Sequence, residues 1–150
     1  MSEVFHLRHP DEVLVLAGQL AAGCARPREV AIGLAELLVN AVEHGHLALG
    51  FETKRRLLAS GQFEAEFARR LDCSPPLQVS VTRSCLPDLV RFVIEDPGPG
   101  FDWTPWLRPD RRRKSAPNGR GILLAREQCF ESLNYRAPGN VVEALAARRR

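Results

Sequence analysis

Glu36 and Asn40 stand four residues apart in the run Glu36-Leu37-Leu38-Val39-Asn40-Ala41-Val42-Glu43-His44-Gly45. On a helix that spacing puts both side chains on one face. A carboxylate beside a carboxamide suits nucleotide chemistry. The amide oxygen can ligate Mg²⁺, a hard cation that prefers oxygen, and the carboxylate can take the proton of an attacking hydroxyl. Taken alone, the same spacing also describes an ordinary solvated helix face. His44 and His46 flank Gly45, but without a further Cys or His at usable spacing they do not make a metal site, and a helix-end role fits them better.

A second group, Ile94-Glu95-Asp96-Pro97-Gly98-Pro99-Gly100-Phe101, puts a carboxylate at the end of an apolar run and ahead of two glycines alternating with prolines. Gly98 and Gly100 allow a ligand close to the backbone, and the prolines stiffen the turn. A partly buried Asp96 can accept a hydrogen bond from an exocyclic amine such as that of adenine; the bland alternative is a plain turn between strand and loop. In the third group, Asn118-Gly119-Arg120-Gly121-Ile122-Leu123-Leu124-Ala125, glycines open a helix whose free N–H groups and dipole attract phosphate, and Arg120 adds a fixed charge. G-x-G alone is a weak pattern.

These groups need elements to hold them. Val30, Leu34, Leu37 and Ala41 recur at helical spacing, so residues 28–47 are predicted as one helix, opened by Pro27, with Glu36 and Asn40 off its buried stripe. Residues 4–7 read as a strand and the stretch from Pro10 to about Ala22 as a helix. Residues 51–71 mix charge with Leu57, Leu58, Phe63, Phe67 and Leu71 around Ser60-Gly61, which predicts two short surface helices. Residues 77–82 and 89–95 read as a strand pair. Residues 119–129 return to helical spacing, and 130–136 with 141–147 flank Pro138-Gly139-Asn140 as a terminal hairpin. Between Asp96 and Asn118 there is no periodicity, only Pro, Gly and Arg, as in a long loop or lid.

Length and composition bound what such a chain can be. The 150 residues fit one domain, and 45% apolar with 26% charged residues is an ordinary globular balance. The formal charge is only +3, its excess concentrated in Arg111-Arg112-Arg113-Lys114 and the closing Arg148-Arg149-Arg150. Neither run is interleaved with aromatics or a groove-reading motif, so nucleic acid is not expected as a partner. The chain has no leader pattern and no apolar run of about 18 residues, which predicts a cytoplasmic protein without membrane insertion. Cys24, Cys73, Cys85 and Cys129 contain no C-x-x-C pair and read as reduced thiols.

Together and in this order, the three groups resemble the nucleotide site of the GHKL superfamily, which includes gyrase B subunits, MutL proteins, heat-shock chaperones and histidine kinases. The E-x-x-x-N box matches Glu36 and Asn40, the D-x-G-x-G box matches Asp96, Gly98 and Gly100, and the second glycine box matches Gly119, Arg120, Gly121 and Ile122. The resemblance spans residues 28–142. It implies a single domain with a two-layer α/β sandwich, helices on one face of a mixed, mainly antiparallel sheet, and ATP between the layers. The segment Ala41 to Gly45 and the Gly-Arg-Gly-Ile form look most like the anti-sigma-factor serine kinases and related regulator-attached ATPase modules, which also carry a helical insert where residues 47–76 lie. Two departures stand out: Ala116-Pro117 replaces an upstream glycine common in histidine kinases, and no dimerisation helix with a phospho-accepting histidine is present.

What the resemblance implies is specific. Glu36 would deprotonate a serine on a protein substrate, and Asn40 would hold Mg²⁺. Asp96 would read adenine, His44 would belong to the ATP site, and Gly119 to Ile122 would grip the phosphates, with Arg120 at the γ-phosphate. Residues 101–117 would form an ATP lid. The implied partners are an antagonist protein and a sigma factor, and a homodimer is compatible with the family. The competing expectation is an ATP-dependent switch that sequesters a partner without transferring phosphate.

Overall fold

The structure, a computed structural model, describes residues 1–109 and 120–150. Five strands form one sheet: β1 (Ser2–Leu7), β2 (Val79–Cys85), β3 (Leu89–Glu95), β4 (Ser132–Arg136) and β5 (Val141–Ala147), in spatial order β1-β2-β3-β5-β4. Tight turns join β2 to β3 and β4 to β5, so each of these pairs is antiparallel. β1 with β2 and β3 with β5 are antiparallel as well. Among the described residues every pair in the sheet is antiparallel, in keeping with the mainly antiparallel sheet expected. Val79, Val81, Val90, Phe92, Ile94, Val142, Ala144 and Ala146 alternate along β2, β3 and β5 and are buried on one face. On the other face, Glu143 pairs with Arg91 (2.6 Å) and Arg136 (2.9 Å), as suits a solvated sheet surface.

The helices lie on the apolar face. A short 3-10 turn at Pro10–Glu12 leads into α1 (Val13–Ala21), followed by α2 (Pro27–Asn40), the insert helices α3 (Phe51–Ala59) and α4 (Phe63–Cys73), and the brief α5 (Gly121–Leu124). Val30, Leu34, Leu37 and Ala41, the stripe read from spacing, are all buried, together with Leu38. The helix does not run uniformly to residue 47. After Asn40 it widens into a π turn over Ala41–His46, closed by the Leu47 N–H donating to the Val42 carbonyl at 2.8 Å. A second π turn at Ala125–Cys129 follows α5. These two irregular ends flank the site, where π turns are commonly found.

Candidate functional site

Two clefts adjoin between α2 and its surroundings. The first reaches from Asn40, His44 and Gly45 to Asp96, Gly100 and Tyr135. The second holds Glu36, Lys54, Arg120 and Gly121, and shares Asn40, His44 and Phe51 with the first. Asn40 thus sits where the two meet. Its Nδ2 is buried with no hydrogen-bond partner among the described residues, and either end of the carboxamide can be turned toward a ligand.

Asp96 is fixed by its backbone. Its N–H donates to the Asn140 carbonyl (3.0 Å), and Asn140 Nδ2 donates to the Asp96 carbonyl (3.1 Å), which ties the end of β3 to the β4–β5 turn. The Gly98 N–H donates to Asp96 Oδ1 at 2.7 Å. Burial outweighs that hydrogen bond and pushes the carboxyl up to about 6; Glu95 also raises it, while His46 pulls the other way. Gly45 brings α2's extension against this carboxyl, for a Cβ there would collide with it. Gly100 has φ +85 and faces the Pro138 carbonyl, where a Cβ would clash, so glycine alone fits. Gly98 does not line the cleft; it positions Asp96.

The other end joins the first and third groups. A Cβ on Gly121 would strike the Glu36 carboxylate, so the start of α5 lies directly against the carboxylate of α2. Ile122 is only 1% exposed, belongs to the core and lines neither cleft. Arg120 lines the cleft as expected. Gly119, Asn118 and the Arg111 to Lys114 run lie outside the described residues. So does the second part of the expected lid, 110–117; its described part, 101–109, holds a 3-10 turn at Thr104–Leu107 whose Trp106 stacks on Phe51 at 4.1 Å. His44 stacks on the other side of this cluster, 3.9 Å from Phe51, and burial followed by Lys54 pushes its imidazole down to about 4, leaving it neutral at pH 7.

Phe51, Lys54, Tyr135 and Asn140 line or brace the clefts without belonging to any of the three groups. The only sequence signal for Asn140 is its place in a turn, and Lys54 reads as one more charge on a surface helix.

The profile of the histidine kinase-like ATPase domain family matches residues 11–145. The chain belongs to this family, and ATP is the nucleotide its site implies. Comparison with curated proteins returns no match. No described helix is long and apolar enough to cross a membrane.

Asn40 offers an amide oxygen of the kind Mg²⁺ prefers, and its carboxamide, whose Nδ2 has no partner among the described residues, fits a ligand-side role. No group of three or more His, Cys, Asp or Glu among the described residues could hold a metal by itself. This donor set suits an ion shared with phosphate oxygens rather than a cage of protein ligands.

Proposed function

We propose that the protein is an ATP-dependent serine/threonine protein kinase that phosphorylates an antagonist protein and sequesters a sigma factor or similar partner. The observation that supports this reading is the joined pair of clefts, with Asp96 in one, Glu36 in the other and Asn40 between them. Asp96 accepts from the adenine amine, Asn40 holds Mg²⁺ and Arg120 meets the γ-phosphate. Bound Mg²⁺ supplies charge neutralisation at the phosphates. Glu36 receives the proton of the substrate serine as its oxygen bonds to the γ-phosphorus and ADP departs with the electron pair of the broken bond. Positioning and electrostatics supply most of the catalysis in phosphoryl transfer, so few residues suffice.

Glu36→Gln is the test, because the glutamine keeps the size and polarity of the side chain but cannot take a proton. With an antagonist substrate found by pull-down, nucleotide affinity should persist while single-turnover phosphorylation falls about 10²- to 10⁴-fold. Equal rates for wild type and variant would remove Glu36 as the base. If wild type binds ATP and its partner but labels no protein, the ATP-dependent sequestering switch is the correct account.

A further inference from the structure

Lys54 belongs to α3 in the insert, yet its side chain is turned inward and only 17% exposed. Lysines are seldom so buried without a partner. Its Nζ donates to Glu43 Oε1 at 2.8 Å and stands 5.2 Å from the centre of the Phe63 ring. Glu43 is itself buried, 5% exposed, and its Oε2 has no hydrogen-bond partner among the described residues. Burial raises the Glu43 carboxyl while Lys54 lowers it. A buried ion pair with one oxygen unsatisfied is a poor stabilising device, because desolvation offsets most of the attraction and an apolar pair would serve as well. Such a pair asks for another reason to exist.

Its location supplies one. Lys54 lines the cleft that holds Glu36, Asn40, Arg120 and Gly121, and Phe51, one helical turn earlier on the same face, lines it too. We propose that Lys54 is a phosphate-binding residue of the ATP site, delivered by the insert helix α3, with Glu43 as the positioning residue that holds the ammonium at the cleft wall. The inference rests on the nucleotide-site reading above and extends it to a residue outside all three motifs. An ammonium has three donors on a flexible stem, so Lys54 can keep Glu43 and still donate to a phosphate oxygen. The insert then contributes to the chemistry of the site. It adds a second cation, with Arg120, to the lining of the cleft that holds Glu36, and it makes the site favour a triphosphate over a bare nucleoside.

Calorimetric titration with Mg²⁺-ATP and with adenosine separates this role from a structural one. Lys54→Met should lower ATP affinity by about tenfold or more and leave adenosine affinity unchanged, and Lys54→Arg should recover most of the loss. Lys54→Met alone leaves a lone buried carboxylate, so the deciding variant is Glu43→Gln/Lys54→Met, which removes both charges; adenosine binding reports that its site is folded. Continued weak ATP binding in the double variant supports the phosphate contact. Wild-type ATP affinity there would overturn it, since Lys54 would then serve only to neutralise Glu43. Asp96→Asn is run alongside. If it fails to weaken adenosine, the nucleotide-site reading and this inference fall together; if it does weaken adenosine while the Lys54 variants bind ATP normally, the inference falls alone.

Discussion

At Asp96 the proposed function asks one carboxyl to answer to both folding and binding, and the two pull in opposite directions. Its folded pKa, about 6, lies above the ordinary value of 3.8, mainly because the group is buried. Folding therefore favours the protonated form. That stabilisation is fully present below the unfolded value and is lost as pH rises through about 6, so at neutral pH the folded chain carries a charge it holds at a cost. Asn at this position keeps an acceptor for the Gly98 N–H and has no charge to desolvate. Urea unfolding should find Asp96→Asn more stable than wild type at about pH 7.5, by on the order of 2 kcal/mol, with the difference shrinking toward about pH 4. Adenosine binding should weaken at least about fivefold in the same variant, because the amine loses its anionic acceptor. Wild-type affinity for adenosine should climb as pH rises through 6. Equal stability of the two proteins at every pH would mean that Asp96 is not desolvated, and the binding argument would lose its physical basis.

Among the elements, one constraint on the site is the approach of α2 to the segment after α5. A Cβ on Gly33 would collide with Cys129 Cβ and the Phe130 ring, both at 2.6 Å. This close packing helps to set Gly121 against Glu36, three residues further along α2. Gly33→Val should overpack the contact and lower unfolding free energy by about 1–3 kcal/mol, measured by urea denaturation. A variant as stable as wild type would show that the contact is looser than its geometry. The same helix shows what is legible in the sequence. The spacing of Val30, Leu34, Leu37 and Ala41 marks its buried stripe, and Glu36 with Asn40 falls on the cleft side as their four-residue offset requires. The change to a π turn after Asn40 is not legible, because a one-residue shift in hydrogen bonding leaves no mark in composition. β2 begins two residues later than the alternation suggests, as Leu77 and Gln78 carry on the apolar–polar pattern but do not pair. The terminal hairpin is legible as read, and Ala144 and Ala146 meet Phe92 and Val90 across the sheet. Lys54 is invisible for a different reason: charge on an amphipathic insert does not say which face meets the site, and only the tertiary contact with Glu43 does.

For the molecule as a whole, the proposed function divides the labour between the two clefts, one for the base and one for the phosphates, with magnesium assigned to the second. The proposed function gives Mg²⁺ one protein side chain, Asn40, and the described residues hold no larger ligand cluster. An ion that keeps most of its octahedral shell as water needs the phosphate oxygens of ATP to bind well. Mg²⁺ alone should therefore leave Tm unchanged, whereas Mg²⁺ with ATP at a hundredfold excess over Kd should stabilise the fold by about 2.7 kcal/mol. For a chain of this length that corresponds to roughly 5–11 °C in Tm. Chelation by EDTA should remove much of the ATP effect and none of the stabilisation given by adenosine, which has no phosphate to share a metal. The comparison is informative in both directions, since a non-specific ion effect would move the protein with or without nucleotide. A rise in Tm with Mg²⁺ alone would require a protein metal site that Asn40 by itself does not make, and an ATP shift indifferent to EDTA would take the metal away from Asn40.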